Sequence, residues 1–351
     1  MKELFLIDPE ITFLNHGSFG ATPRPVFERY QEWQRELERD PVHFIFRRLG
    51  PELANARAEL GAFVGADGDD LTFVQNASTG VNIAARALGL RPDDEVLCTN
   101  IEYGACIFAW KTLCTLVEAP WDDLFAHVTA RTKAVYVSHI TSEPAFLLPV
   151  EEYVREAHAR GLPIVVDGAH AVAQVDLDLD ALGADFYAGN CHKWLCAPKG
   201  AGFLHVRPEL QERVGGAIVN WGYEEPSSFI SRTERQGTRD SSAYLTVPAA
   251  IEFFRAHDDR DRCVALAREA RRDLCELLGT EPLAPEAMVL QMASVRLPVS
   301  DTGLSQRLYD NHRVEIPVSK DGSHMRLSIA AYNDREDVDR LLAALARELH
   351  A

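Results

Sequence analysis

Asp167 and His170 carry a carboxylate and an imidazole, two side chains that can act together as acid and base. Asp167 directly follows the apolar run PIVV, and His170 lies three residues later. The carboxyl ends of strands in an open α/β sheet line the ligand crevice, so this position predicts a carboxylate that faces a site. The alternative is an aspartate that caps the next segment beside a histidine satisfied within its turn.

Lys193 stands in the turn GNCHKWLCAPKGAG, between the strand-like stretches ADFYAG and AGFLHV. Among Trp194, Leu195 and the glycines and prolines of the turn, its amine is less solvated than on a helix face. Reduced solvation favours the neutral, nucleophilic amine, which can form a Schiff base. An ordinary loop lysine is the alternative that this stretch alone leaves open.

The stretch Ser78-Thr79-Gly80 follows the strand-like LTFVQ and opens a predicted helix. Free N–H groups and the helix dipole favour an anion such as phosphate at such a position, although the same residues also serve as plain N-caps. The combination is more specific than its parts. A phosphate cradle, a strand-end carboxylate and a turn lysine are what pyridoxal 5′-phosphate (PLP) requires for its phosphate, its pyridine nitrogen and its imine.

The elements around these residues follow an α/β pattern, in which strands alternate with helices. Continuous apolar runs predict buried parallel strands, and apolar residues at helical spacing predict amphipathic helices. The predicted strands are 71–75, 95–99, 133–138, 162–167 and 201–206, and the predicted helices are 26–40, 52–65 and 150–161, with a proline-bounded interruption between the first two.

The pattern changes past about residue 245, where two long amphipathic helices, two short strands and a closing helix predict a smaller α+β domain. We therefore expect an N-terminal segment (1–25) that borders the active site, a large cofactor-binding α/β domain (26–245) and a small C-terminal α+β domain (246–351).

Composition excludes several classes of partner. A formal charge of −17, from 36 basic and 53 acidic residues, disfavours nucleic acid and anionic membrane surfaces. No apolar stretch reaches the ~20 residues that span a bilayer, and acids within the first apolar run argue against a signal peptide. The cysteines form no CxxC pair, so a reduced, cytoplasmic protein is expected. Histidines and cysteines lack paired finger-like spacing, so no metal site is predicted.

The chain resembles the class V aminotransferase superfamily of fold type I PLP enzymes, and within it the isopenicillin N epimerase-like branch. The stretches that carry the resemblance are FLNHGSFGATPRPV (13–26), NASTGVN (76–82), VVDGAHA (165–171), GNCHKWLCAPKGAGFL (189–204), QGTRDSSAYLTVPAAIEFF (236–254) and RLSIAAYND (326–334). The resemblance implies a large domain with a mostly parallel sheet, and a homodimer with shared active sites.

The resemblance also implies a role for each matching residue. Lys193 would form the imine, Asp167 would partner the pyridine nitrogen, His170 would contact the ring hydroxyl, and Tyr103 would lie against the cofactor face. The implied phosphate ligands are Ser78, Thr79, Asn190 and His192, with Gly237 and Thr238 reaching in from a second subunit.

On the substrate side, the resemblance implies that Arg326 binds the α-carboxylate, an anion to which a guanidinium can donate two parallel hydrogen bonds. Asn15 and His16 would border the substrate pocket. For Arg326 a structural acid is the alternative partner, and Tyr103 has the alternative of an ordinary half-buried aromatic. The chain departs from the family at Ser142-Glu143-Pro144-Ala145-Phe146 and has a short connection after residue 114, so its substrate is left open.

The shared chemistry leaves racemisation, transamination, β-elimination and desulfuration open, because Lys193 can act as acid and base at Cα in each. Cysteine desulfuration is disfavoured, since Cys196 lies in the lysine turn and Cys263 and Cys275 fall within an amphipathic helix. Amino-acid epimerisation is the nominal assignment, with C–S lyase or aminotransferase as alternatives. A binding protein without catalysis is disfavoured by the complete set of cofactor residues.

Overall fold

The strands of the computed structural model, which describes residues 1–349, lie mostly where the apolar runs predict them. They are β1 (Thr12–Phe13), β2 (Leu71–Val74), β3 (Glu95–Thr99), β4 (Thr115–Ala119), β5 (Thr132–Ser138), β6 (Ile164–Gly168), β7 (Phe186–Asn190), β8 (Gly202–Val206), β9 (Met292–Arg296), β10 (Val314–Glu315) and β11 (His324–Ser328).

A seven-stranded sheet in the order β2-β8-β7-β6-β5-β3-β4 forms the centre of the α/β part. The pairs β7–β6, β6–β5, β5–β3 and β3–β4 are parallel, whereas β8 runs antiparallel to both of its neighbours. The predicted mostly parallel sheet is therefore confirmed. Its parallel inner strands are buried at every position except Lys133 of β5, because helices cover both faces of such sheets.

Helices form much of the remaining chain. They are α1 (His16–Phe19), α2 (Arg24–Arg39), α3 (Pro41–His43), α4 (Leu49–Val64), α5 (Ala77–Ala87), α6 (Gly104–Lys111), α7 (Val150–Ala159), α8 (Leu179–Leu182), α9 (Phe229–Glu234), α10 (Ser242–Leu245), α11 (Val247–His257), α12 (Arg260–Leu278), α13 (Leu304–His312) and α14 (Arg335–Leu349). Among residues 1–349, none of them has both the length and the apolar character needed to cross a membrane.

The interruption predicted between the first two long helices is itself helical. Asp40 caps the short helix α3, in which Pro41 takes the first position, and a π-helical turn over Phe44–Arg48 continues into α4. Proline is tolerated in the first turn of a helix because the N–H it lacks has no intrahelical acceptor there. Asp40 therefore breaks the helical run just before Pro41, whereas Pro51 lies in the first turn of α4 and does not interrupt it.

Contacts divide the chain into two compact units. The sheet unit consists of Pro25–Ile140 and Leu148–Phe254, and the terminal unit consists of Met1–Arg24, Thr141–Leu147 and the chain from Arg255 onward. The apolar core of the sheet unit includes Val81 of α5, Tyr136 of β5 and Leu204 of β8. The core of the terminal unit is formed by one face of α12, the β9–β11 pair and α14.

Candidate active site

Asp167 lies in β6, at the middle of the sheet, and is 4% exposed. Its Oδ2 accepts hydrogen bonds from the Tyr136 hydroxyl at 3.2 Å and from the Cys106 thiol at 3.5 Å, and its Oδ1 accepts from the Ala169 amide at 2.9 Å. Burial raises the pKa of the Asp167 carboxyl, while the Ala169 amide and the charge of Lys193 oppose that rise. A further cation at this carboxylate would offset the cost of burying it.

The loop from Cys191 to Ala201 holds Lys193 between β7 and β8. The Cys196 amide donates to the Lys193 carbonyl at 3.0 Å, and the Ala197 amide donates to the Cys191 carbonyl at 3.0 Å. Cys196 adopts a left-handed backbone with φ of 61°, which closes the turn tightly. The predicted tight turn around the lysine is therefore present.

The loop brings the Lys193 amine and the Trp194 indole to the same imidazole. Lys193 Nζ lies 3.0 Å from His170 Nε2, and Trp194 Nε1 donates to His170 Nδ1 at 3.3 Å. His170 is 3% exposed, so the ring contacts both side chains inside the protein. The loop thus places Lys193 and Trp194 beside His170, which follows Asp167 by three residues.

Helix α5 begins at Ala77, one residue before Ser78, and its N-cap is Asn76. The Asn76 side chain accepts from the Thr79 amide at 2.9 Å, and Asn190 Oδ1 accepts from the Ala77 amide at 2.8 Å. Gly202 lets β8 lie close to the start of α5, since a Cβ at this position would be only 2.9 Å from Asn76 Cα. Asn190 therefore positions the start of the helix through its carbonyl oxygen.

Ser78 lies between the two capped amides, and its hydroxyl is 4.0 Å from Cys106 Sγ. Across the site, His192 Nδ1 donates to the Ala201 carbonyl at 2.9 Å, and burial lowers the pKa of this imidazole to about 4. The neutral ring therefore has an unprotonated Nε2. To donate a hydrogen bond from Nε2 to a phosphate, the ring must take up a second proton. The negative charge of a nearby phosphate would favour that protonation.

Tyr103 is the N-cap residue of α6 and is 47% exposed, so its ring is open to the surface of the sheet unit. Its neighbour Glu102 is a residue that sequence reasoning missed. The Glu102 carboxylate accepts from Thr99 Oγ1 at 2.6 Å, from the Ser138 amide at 3.0 Å and from the Ser138 hydroxyl. Burial, with a smaller contribution from the charge of Asp167, raises the pKa of Glu102 to about 7.

Gly237 and Thr238 lie on an exposed stretch after α9, where Gly237 has a φ of 100°. A positive φ of this size is easily adopted only by glycine. Their expected contribution to the phosphate site of a second subunit stays a prediction.

In the terminal unit, Arg326 of β11 is 4% exposed and has its guanidinium directed at oxygen atoms. Its Nη1 donates to the Ser142 carbonyl at 2.8 Å and to the Ser142 hydroxyl at 2.9 Å, and its Nη2 donates to the Ser18 hydroxyl at 3.1 Å. Next to Ser142, Glu143 lies 3.6 Å from His324, which holds the pKa of Glu143 below its usual range. The stretch that departs from the family pattern is thus the one that contacts Arg326.

Asn15 is linked to Arg326 through the Ser18 hydroxyl, whereas His16 contacts Tyr332. The Ser18 hydroxyl donates to Asn15 Oδ1 at 2.6 Å, while Asn15 Nδ2 donates to Glu315 at 3.0 Å. His16 is 1% exposed, and its Nδ1 lies 2.9 Å from the Tyr332 hydroxyl. Both residues are therefore buried, and their predicted role at the substrate pocket stays a prediction.

The residues of the sheet unit fit PLP. Lys193 offers an amine for the imine, and Asp167 is a buried carboxylate that a protonated ring nitrogen would partner. The start of α5, held by Asn76 and Asn190, offers the dipole and hydroxyls that suit a phosphate.

Comparison with known families and proteins agrees with this fit. The family described as Aminotransferase class-V matches residues 18–341. The chain is 34% identical to an isopenicillin N epimerase of Streptomyces clavuligerus, over 97% of this chain and 95% of the relative. It is 28% identical to a probable L-cysteine desulfhydrase of Arabidopsis thaliana, over 96% of this chain and 83% of the relative.

Solved structures share the fold at low sequence identity. A C-DES mutant with glycine covalently linked to the PLP cofactor superposes with a TM-score of 0.88 at 21% identity, covering 99% of each chain. The cystine C–S lyase C-DES in complex with cysteine persulfide gives a TM-score of 0.84 at 22% identity, covering 96% of this chain and 98% of the other. The chain belongs to the class V aminotransferase family and is a PLP-dependent enzyme of fold type I.

Proposed function

We propose that this enzyme epimerises the Cα of an amino acid or amino-acid-derived small molecule. Proton transfer at Cα is supported by one observation above all, the Lys193 amine held 3.0 Å from His170 beside the buried Asp167. The epimerase assignment rests on the relatives named isopenicillin N epimerase, which are 34% and 36% identical over nearly the whole chain.

When bound, PLP withdraws electrons from the substrate Cα and so lowers the barrier to loss of its proton. Lys193 removes and returns that proton on one face. His170 holds the amine in place, and Asp167 supplies the negative charge that keeps a ring nitrogen protonated. Arg326 binds the substrate carboxylate, exchanging its contacts with Ser142 and Ser18 for that anion.

Phosphate binding is proposed for Ser78, Thr79, Asn190 and His192. Asn190 acts by fixing the Ala77 amide at the start of α5, since its carbonyl already accepts from that amide. Tyr103 is proposed to lie against the cofactor, and Asn15 is proposed to help position Arg326 through Ser18.

A C–S lyase is the second candidate. It needs only the single base that Lys193 supplies, whereas epimerisation also needs a proton donor on the opposite face of Cα. Relatives named L-cysteine desulfhydrase match 95–97% of this chain at 26–28% identity. A persulfide-forming desulfurase is disfavoured further, because Cys263 and Cys275 are buried in α12, at 1% and 8% exposed.

The experiment that separates these reactions is incubation with candidate amino acids, including isopenicillin N and cystine, in deuterated water. Deuterium at Cα with loss of chirality supports epimerisation. Pyruvate with ammonia supports elimination, and a keto acid with pyridoxamine phosphate supports transamination. Lys193→Gln should reduce Cα exchange by roughly 10³-fold. Lys199→Ala, in the same loop, should leave it within twofold, and exchange that survives Lys193→Gln would refute the assigned base.

We also propose a homodimer in which Gly237 and Thr238 reach the phosphate of the partner's site. Three apolar side chains on the sheet unit, Ile218, Val219 and Trp221, are 53%, 76% and 75% exposed, as expected for a surface that a second subunit covers. Mixing inactive Lys193→Gln and Thr238→Asp chains tests this. If Thr238 acts in trans, one of the two sites in the mixed dimer has both wild-type residues and activity returns. If it acts in cis, none returns.

A cytoplasmic location is part of the same proposal. It is supported by the seven free cysteines, six of them buried, which suit a reducing compartment. Cell fractionation of a tagged chain tests it, and recovery from an oxidising compartment would contradict it.

A further inference from the structure

Asp70, Asp180 and His205 form a cluster in the sheet unit that the proposed reaction does not use. Asp70 ends the turn Gly68–Asp70 just before β2, Asp180 lies in α8, and His205 lies in β8. Their positions follow from the sheet, since β8 pairs with β2 so that His205 is opposite Leu71, the residue after Asp70. One potential ligand atom from each side chain lies within 4.8 Å of the other two.

His205 is the unusual member, because it is 2% exposed and neither of its ring nitrogens makes a hydrogen bond among the described residues. Buried polar groups without partners are rare, since each costs about 1–3 kcal/mol of desolvation. The nearest acid is Asp180, whose Oδ1 lies 3.7 Å from His205 Nε2. A metal ion between the imidazole and the carboxylates would explain why the buried ring nitrogens have no hydrogen bond in the described part of the chain.

The two carboxylates differ in exposure and in hydrogen bonding, which suits closure around an ion. Asp70 accepts from Gln211 Nε2 at 2.6 Å and is thereby oriented. Asp180 has a side chain that is 62% exposed, so it can move toward His205 at little cost. Ligands of a tetrahedral ion lie about 3.4 Å apart when the bond lengths are about 2.1 Å. The rearrangement needed is therefore on the order of 1 Å, within the reach of an exposed aspartate.

We propose that Asp70, Asp180 and His205 bind a divalent transition-metal ion, for which Zn²⁺ has the matching ligand preference. One imidazole nitrogen and two carboxylate oxygens, completed by water, form a set of ligands that Zn²⁺ accepts. Within residues 1–349 the buried imidazole has no hydrogen-bond partner that would occupy its lone pair, so a ring nitrogen can ligate the ion. The ion would tie α8 to the edge pair β2–β8 and has a structural role.

The distance of these residues along the chain explains why the sequence predicts no metal site. Asp70, Asp180 and His205 belong to three separate elements, and none has a second ligand at finger-like spacing. Only the pairing of β8 with β2 and the placement of α8 bring them together. The inference is independent of the reaction, since Lys193 and Asp167 are not members.

Isothermal titration of the PLP-loaded enzyme with Zn²⁺, after removal of free PLP and chelator, tests the site. We expect one Zn²⁺ per chain and a rise in the melting temperature that EDTA reverses. Asp180→Asn should weaken binding at least tenfold and abolish the EDTA-sensitive shift. Asp180 is exposed, so this variant should fold, and an unchanged PLP absorption band verifies that it has.

Asp69→Asn is the matched control. Asp69 is a neighbouring exposed acid, and its substitution changes the charge by the same amount as Asp180→Asn. It pairs with Arg57 at 3.5 Å and is not one of the three ligands. Its affinity for Zn²⁺ should stay within twofold of the wild type. Wild-type protein that binds no Zn²⁺, or an Asp180→Asn affinity equal to that of Asp69→Asn, would overturn the proposal.

Discussion

Trp194 donates its indole N–H to His170 Nδ1 at 3.3 Å, and this bond determines which nitrogen of His170 carries a proton. A ring nitrogen that accepts a hydrogen bond has no proton, so in His170 the proton is on Nε2. Nε2 lies 3.0 Å from the Lys193 amine. The Nε2–H therefore faces the amine and can donate only to its neutral form, so Trp194 acts on Lys193 through the tautomer of His170 by favouring that form.

Trp194→Phe should keep the packing of the loop but remove this control of the tautomer. Because one hydrogen bond is worth about 1 kcal/mol, we expect kcat for Cα exchange to fall about five- to tenfold. KM should change less than twofold, since Trp194 is not a proposed substrate ligand. Trp121→Phe, at a half-buried tryptophan outside the site, should match the wild type. Equal kcat values for the Trp194 and Trp121 variants would show that the bond to His170 has no catalytic consequence.

Asp167→Asn separates the catalytic value of the buried charge from its cost to folding. We expect activity to fall roughly 10²–10⁴-fold, because a neutral amide cannot keep a ring nitrogen protonated. The PLP-free variant should nevertheless unfold at higher urea than the PLP-free wild type at pH 8. Burial raises the pKa of Asp167, so the ionised side chain destabilises the fold above its unfolded pKa, and asparagine lacks that cost.

Asp122→Asn, at an exposed aspartate, is the control for this pair of measurements. It should change neither the activity nor the urea midpoint. An Asp167→Asn protein that loses stability without PLP would indicate that the attraction between Asp167 and Lys193 outweighs the cost of burial.

The local sequence pattern was sufficient to predict the inner strands and the Asp167 and Lys193 segments. Continuous apolar runs and Gly/Pro turns specify these elements by themselves. The edge strand β4 was missed, since only one of its five residues is buried and it lacks such a run. Asn76, not Ser78 or Thr79, caps α5. An asparagine directly before Ala77 was the available signal, as asparagine is among the best N-cap residues.

Contacts between distant segments could not be predicted. The partners of Arg326 come from positions 18 and 142, and the bond between Trp194 and His170 depends on how two loops fold together. Glu102 had a recognisable signal, since it follows a buried strand much as Asp167 does. Its raised pKa depends on burial, which the sequence alone does not give.

Arg326→Lys should impair substrate binding more than turnover. Lysine keeps the charge but loses the planar fork, which now donates to Ser142 and Ser18 at 2.8–3.1 Å. We expect KM for the amino acid to rise roughly 10- to 100-fold, which corresponds to the loss of about 1.5–3 kcal/mol from charged hydrogen bonds. Arg296→Lys, on the paired strand β9, is the control. If both variants have wild-type KM, Arg326 has only a structural role.

Glu102→Gln tests whether the carboxyl of the half-buried Glu102 makes stability depend on pH. The folded-state pKa of about 7 lies above the ordinary value of 4.5, so the native protein holds an extra proton between these two pH values. Stability must therefore fall as pH rises through this window, and the full cost is present above pH 7. The shift corresponds to at most about 3 kcal/mol. Glutamine can donate to the Ser138 hydroxyl as the protonated acid does, and it does not ionise.

We therefore expect the Gln variant to gain stability over the wild type as pH rises from 5 to 8.5, by up to about 3 kcal/mol, in denaturant unfolding of the PLP-free proteins. Glu252→Gln, at an exposed glutamate, should show no such change. Because the charge of Asp167 contributes to the raised pKa of Glu102, adding Asp167→Asn should shrink the pH-dependent gain. A gain that stays constant across this pH range would mean that Glu102 does not titrate there.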